Sequence, residues 1–267
     1  IMSLLLHLLM LSLLSAGSAK VVDDFEKSCG QFFANGKSPT KFTGDHYKQI
    51  CQTLDNAVYF ATLYDTHNRI PVYSAYKFEG LMGCTRLDKW YIEPQKEACQ
   101  IKQQNLLFYL QLASSNMELK KNLGVLQALN KDYYKSGYDR GHLAPVYHAN
   151  SQGCADATFT LTNAAPQNPS FNGGEWRDLE KDIAKRLDSE CKNLTAYIVT
   201  GVVPSNNQTI NNRVNVPSHF WTAYCCLDQN NRSAHSGGAI GINDNNGYIT
   251  PIMTVAELET DLEQLYG

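Results

Sequence analysis

Three short stretches of this sequence hold its densest chemistry. Asp139-Arg140-Gly141-His142 runs into Leu-Ala-Pro. Thr162-Asn163-Ala164-Ala165-Pro166-Gln167 follows, and then Asn172-Gly-Gly-Glu-Trp-Arg-Asp-Leu-Glu180. A histidine titrates near neutrality and can take a proton from water, so His142, placed after Gly141 at a strand end, is the candidate general base. Arginine holds a phosphate oxygen in a rigid planar fork, which is the role read for Arg140. Hard cations such as Mg²⁺, with Mn²⁺ as a substitute, take oxygen ligands and keep much of their water. The side-chain amide of Asn172 suits such a site. Glu180 lies eight residues later, about 12 Å along an ideal helix axis. It therefore reaches the same ion only through a bound water, and only where Asn172 stands off the helix. A base, an anion fork and a cation holder together suit hydrolysis of a phosphodiester, with the cation relieving charge on the phosphoryl and leaving oxygens.

Each assignment has an inert counterpart. An asparagine ahead of a helix is commonly a cap, and Glu180 can be a solvated helix charge. Asn163 and Gln167 flank a proline turn, where they orient the loop or touch substrate. Asp139 is read as fixing local backbone or forming an ion pair rather than as the base. Arg69 opens a strand and is either a solvated charge or a phosphate contact. His219 is a weaker rival base, read as structural, and His46, His67, His148 and His235 lack convergent partners.

These residues need elements to hold them. Residues 57–63 and 70–78 are strand-like runs around an Asp-Thr-His-Asn turn, which predicts an antiparallel hairpin. Residues 81–94 read as loop, pinned by Cys84 and Cys99, and the apolar patch 106–110 fits strand or helix equally. Short strands are expected over 138–146 and 159–161, and Pro166 and Pro169 argue against regular structure just beyond. A helix is expected from Asn172 or Gly173, with Trp176, Leu179, Ile183, Ala184 and Leu187 on its packed face and Cys191 at its end. The near-continuous apolar run 196–203 predicts a central strand. A turn leading into a strand is read over 214–226, a further strand over 237–242, and a terminal amphipathic helix through Val255, Leu258, Leu262 and Leu265. The fold class expected is α+β, a mixed, mainly antiparallel sheet core flanked by helices, carrying a strand-strand-helix metal site. Phe25, Phe32 and Phe33 tie an N-terminal arm to it, with Cys29 as a staple.

The 267 residues fit one large domain. Residues 1–19, a leucine-rich run ending Ser-Ala-Gly-Ser-Ala, read as a secretory signal peptide too short to span a bilayer comfortably, although a basic start is missing. Residues 20–267 then form a single domain, with no stable membrane insertion. Eight cysteines in an exported chain allow up to four disulfides. Adjacent Cys225 and Cys226 point to opposite faces of a strand and pair separately. Sequons at Asn193, Asn207 and Asn231 become glycan sites when exposed in the secretory path. The net charge is −3, with a local excess of two positive charges over 117–142. Charge alone therefore does not indicate nucleic-acid binding, which rests largely on positive charge.

The Asp139–His142 motif with Leu-Ala-Pro, and the second half from Thr162 through Asn172 to Glu180, resemble the signature of the DNA/RNA non-specific endonuclease family in identity and spacing. The resemblance runs from Tyr59 to Ala223. It implies a mixed antiparallel core with flanking helices and metal-dependent cleavage of DNA and RNA. By that resemblance His142 is the general base, Asn172 the direct metal ligand, and Glu180 a ligand through metal-bound water. Arg140 is the motif arginine, Asn163 is a supporting residue, and Arg69 is loosely matched to an upstream substrate arginine. Thr222 departs from the family, which often has lysine there. That departure and the low charge motivate a second reading, a non-catalytic nucleic-acid or protein-binding module on a nuclease scaffold. A purely structural glycoprotein is the third.

Overall fold

The computed structural model describes residues 20–39, 42–87, 89–93 and 124–267. The leader, Cys99, the 106–110 patch and the first part of the basic stretch lie outside the described residues. A seven-stranded sheet organises the chain. Its strands are β1 (Lys20–Val22), β2 (Tyr47–Leu54), β3 (Ala57–Asp65), β4 (Ile70–Phe78), β7 (Thr195–Val203), β10 (His219–Leu227) and β11 (Ser233–Ile242), side by side in that order. Every neighbouring pair is antiparallel. Two small ribbons stand apart: β5 (Asp139–His142) with β6 (Ala164–Gln167), and β8 (Thr209–Ile210) with β9 (Val214–Asn215). The helices are α1 (Phe25–Cys29), α2 (Asn130–Tyr133), α3 (Gln152–Ala157), α4 (Pro169–Gly173), α5 (Glu175–Glu190) and α6 (Val255–Tyr266).

The sheet is covered on both faces, which explains the unbroken apolar run of β7. Successive strand residues alternate sides. Val199 and Val203, with Trp221 and Ala223 of β10, join the core under α1 and α6. Ala196 and Ile198, with Tyr224 and Cys226, pack against Ile183, Ala184 and Leu187 of α5. Two disulfides staple these layers: Cys29–Cys51 joins α1 to β2, and Cys191–Cys226 joins the end of α5 to β10. Closing loops of 22 and 35 residues stabilises by about 3–4 kcal/mol each in the chain-entropy picture. Cys225 faces away from Cys226 and stands unpaired with Cys84 and Cys154 among the described residues.

Several local expectations are corrected. Pro166 lies within β6, opposite Arg140, and Pro169 opens α4. A two-stranded ribbon has an outer edge where a missing N–H is tolerated, and the first turn of a helix does not need that N–H. Residues 161–163 form a 3₁₀ turn instead of a strand, and Thr160 makes a single parallel bridge to Tyr91. The helix does not start at Asn172. The chain enters α4 at Pro169, breaks at Gly174 with φ −109° and ψ −114°, and resumes as α5. A Cβ at Gly174 would crowd the Ser170 carbonyl, so the corner depends on glycine.

Candidate active site

The β5–β6 ribbon and the α4–α5 corner carry the candidate residues. The ribbon register sets Asp139 opposite Gln167 and His142 opposite Ala164. A side chain at Gly141 would collide with that of Gln167, which explains the glycine between Arg140 and His142. Gln167 is fully buried, and neither atom of its amide has a partner.

Asn163 is equally buried but fully bonded. Its Oδ1 accepts from Ser74 Oγ at 2.9 Å and from the Ala144 N–H at 2.9 Å. Its Nδ2 donates to the carbonyls of Ala144 at 2.9 Å and Thr158 at 3.0 Å. With its backbone carbonyl accepting from Leu143 N–H at 3.0 Å, Asn163 clamps the two residues that follow His142. This leaves its amide no spare group for substrate.

His142 is 8% exposed, between the rings of Trp90 at 4.5 Å and Phe159 at 4.9 Å. Its Nε2 has no hydrogen-bond partner. Burial, helped by the Arg86 charge, pulls its pKa down to about 3, so the imidazole is neutral at physiological pH. Arg140 stacks 5.0 Å from the Tyr133 ring and 6.0 Å from Trp90, and donates through Nη2 to the Asn130 carbonyl at 3.3 Å. Its Nε is buried without a partner.

Asn172 caps neither helix. Asn168 caps α4, and the N-cap position of α5 is Gly174, which has no side chain to cap with. The Asn172 amide instead donates through Nδ2 to Asp139 Oδ2 at 2.9 Å, leaving Oδ1 as its available ligand atom. The break at Gly174 takes Asn172 off the α5 axis. Glu180 sits on the second turn of α5, half-buried, and burial raises its pKa to about 8. The Arg86 charge opposes that rise. The Trp176 indole also opposes it, although its N–H makes no bond of hydrogen-bond geometry. His148 braces the same helix, donating through Nε2 to the Glu180 carbonyl at 2.8 Å and accepting at Nδ1 from the Tyr76 hydroxyl at 2.9 Å. Thr222 lines the small void that also meets Glu180 and is bonded to Thr200 at 3.1 Å. No lysine ammonium stands there to offset the Glu180 carboxyl.

The donor set fits a hard cation. Asn172 presents an amide oxygen, and Glu180 is a desolvated carboxyl without a full countercharge. No group of three His, Cys, Asp or Glu side chains forms a cage among the described residues. A cation here would be held by one amide oxygen and water, as Mg²⁺ commonly is.

Arg69 is placed elsewhere. It donates through Nε to Val125 O at 3.0 Å and through Nη1 to Arg213 O at 2.9 Å and His67 O at 3.3 Å. It lines a polar cavity with His46, His67 and Arg213 and shares no contact with His142 among the described residues. Arg86 takes the nearby position instead. Its guanidinium lies 5.5 Å from the Phe159 ring that packs on His142, and its charge acts on both His142 and Glu180. Sequence reading missed it because the 81–94 stretch has no periodicity to set it apart. His219 is bonded to Ser218 Oγ at 3.0 Å.

The comparisons with known proteins agree with this architecture. The profile of the DNA/RNA non-specific endonuclease family matches residues 38–265. The chain is similar to endonuclease domain-containing 1 protein of Homo sapiens, 36% identical over 74% of this chain and 38% of that protein. The Mus musculus protein is 33% identical over the same shares. The chain thus spans under two-fifths of the length of those relatives. Mitochondrial endonuclease G of Homo sapiens is 40% identical over 36% of this chain and 35% of its own. A crystal structure of the EndoG/EndoGI complex superposes with a TM-score of 0.53 over 90% of each chain at 22% identity, a likeness of fold. The antiparallel sheet, the strand-strand-helix site and a profile match across most of the sequence together place this chain in the DNA/RNA non-specific endonuclease family.

Proposed function

We propose that this chain is a secreted, Mg²⁺-dependent endonuclease that hydrolyses phosphodiester bonds in DNA and RNA with little sequence preference. The observation that carries the reading is the state of His142. Its imidazole is buried and neutral, its Nε2 has no partner, and Asn163 holds the backbone just after it. Family membership and the similarity to endonuclease G support the same reaction class.

In this mechanism His142 takes a proton at Nε2 from the water that attacks phosphorus. An imidazole of such low pKa is a weak base, and the negative charge of an arriving phosphodiester raises its proton affinity. Arg140 and Arg86 bring positive charge to the phosphate. Asp139 turns the Asn172 amide so that Oδ1 would hold the metal, Mg²⁺ or Mn²⁺, with Glu180 engaging it through water. The bound cation would supply charge relief on the phosphoryl and departing 3′ oxygens. Gln167, fully buried beside Gly141, supports the ribbon from within rather than from the substrate side. Secretion is supported by the two disulfides and by Asn193, Asn207 and Asn231, all exposed. No helix among the described residues is long and apolar enough to cross a membrane.

The test is digestion of plasmid and RNA by the purified chain. His142→Ala is expected to fold normally and lose cleavage. EDTA is expected to stop the parent, and Mg²⁺ to restore it. Full turnover by His142→Ala, or in EDTA, would refute the mechanism. One observation favours a binding module without turnover, namely the closure of His142 beneath Trp90 and Phe159. Salt-dependent DNA binding with no cleavage across Mg²⁺ and Mn²⁺ would establish that alternative.

A further inference from the structure

Across the sheet from His142, a cavity of about 620 Å³ opens between β7 and β10, helix α6 and the segment after α1. That volume lies in the range of small-molecule sites. Phe42, Tyr73, Trp221 and Tyr266 line it. The Tyr266 hydroxyl is already used, accepting from Trp221 Nε1 at 3.1 Å and donating to the Val202 carbonyl at 2.7 Å. These two residues therefore offer the cavity ring surface rather than free polar groups. Glu259 and Glu263, one turn apart on α6, line the same cavity. Both are exposed, and neither has an ion-pair partner among the described residues. The lining lysine, Lys37, is paired with Glu26 at 3.7 Å. The described lining thus combines aromatic walls with two uncompensated negative charges.

We propose that this cavity binds a hydrophobic organic cation, an ammonium group carried on an aromatic or alkyl body. Aromatic faces attract a cation through their quadrupoles, most strongly where water is displaced. The two carboxylates add an attraction that a neutral ligand does not feel and that an anion feels as repulsion. The apolar body of the ligand would cover the floor formed by Val199, Ala223 and Leu258. Nothing in the proposed nuclease chemistry uses this face, so the two ideas stand or fall separately.

The experiment is calorimetric and NMR titration of the full chain with benzyltrimethylammonium, benzyl alcohol and benzoate. The cation is expected to saturate one site and to bind at least about tenfold more tightly than the other two. The exposed pair Glu259→Gln/Glu263→Gln is expected to weaken the cation about tenfold and to leave benzyl alcohol binding and plasmid cleavage unchanged. Leu262→Trp, which fills the cavity, is expected to abolish binding of the cation. Equal affinity for cation and alcohol would overturn the proposal, as would undiminished binding by the double variant or no saturable binding. A chain dimer that uses this face and is not dissociated by the cation would overturn it in favour of a second copy as occupant.

Discussion

Asn163→Ala tests how the base is held. The native amide is fully buried and makes four hydrogen bonds, to Ser74, to both backbone groups of Ala144 and to the Thr158 carbonyl. Truncation leaves Ala144 N–H and two carbonyls without that partner, while Ser74 keeps Thr62 at 2.8 Å. Each orphaned buried group costs about 1–3 kcal/mol. Entry of a water and non-additivity reduce the sum, leaving a loss of about 3–5 kcal/mol. That is a large share of a typical domain stability of about 5–15 kcal/mol. Ser74→Ala removes one of the four bonds and also the partner of the buried Thr62 hydroxyl, and should cost about 2 kcal/mol. Urea unfolding of parent and both variants in EDTA, followed by circular dichroism, measures the series. At a temperature where Asn163→Ala is folded, cleavage should fall about 100-fold, because the turn after His142 loses its clamp. Stability within 1 kcal/mol of the parent, or a Ser74→Ala cost equal to that of Asn163→Ala, would refute the reasoning.

Trp90→Ala should raise the His142 pKa from about 3 toward its ordinary value of 6.5, since burial is the main cause of the depression. An imidazole NMR titration that stays below pH 4 in the variant would assign the depression to another group. His142 and His148 also set a pH dependence of stability, with folded pKa values of about 3 and about 4 against 6.5 unfolded. The unfolded chain binds the extra protons, so their stabilisation is complete above pH 6.5 and is lost on acidification, about 2 kcal/mol each by pH 5. Glu180 has the opposite sign. Its pKa is raised from 4.5 to about 8, so the folded state binds the extra proton and stability falls as pH rises through that window. Glu180→Gln should therefore stabilise the metal-free protein at pH 7.5 by about 2–4 kcal/mol, the lower figure allowing for the partial exposure of the carboxyl, deepen the loss between pH 6.5 and 5, and weaken cleavage. A thermal or urea series in EDTA showing the variant less stable than the parent would contradict this.

The raised Glu180 pKa follows from its burial against the wall of the sheet. Thr222 and Thr200 bond to each other on the wall facing α5. Against that burial Glu180 has only the partial relief of Arg86, Trp176 and Lys181. A cation bound beside it would offset that burial, which links stability to metal in the opposite sense from the histidines.

Much of the architecture was legible in the residues alone. The 57–78 hairpin, the central strand at 196–203 and the packed face of α5 follow from alternation, run length and 3.6-residue spacing, because those patterns record burial. The residues from Asp139 to Glu180 stood out as site candidates because they lie close together in the chain. Other features depend on partners distant in sequence. The strand β2 was not foreseen, since Lys48, Gln49 and Gln52 interrupt its apolar residues, and it forms through pairing with β1 and β3. The pairing of Cys29 with Cys51 and Cys191 with Cys226 follows from which layers meet. Pro166 became a strand residue because Arg140 lies opposite it and Asn243 bonds to its carbonyl at 3.0 Å. Asn172 turned to Asp139 instead of capping a helix, Asn163 became a buried clamp, and Arg86 rather than Arg69 came to lie near His142. Residue type and spacing limit what a side chain can do. Which of those options it takes is decided by the groups that folding brings within hydrogen-bonding distance.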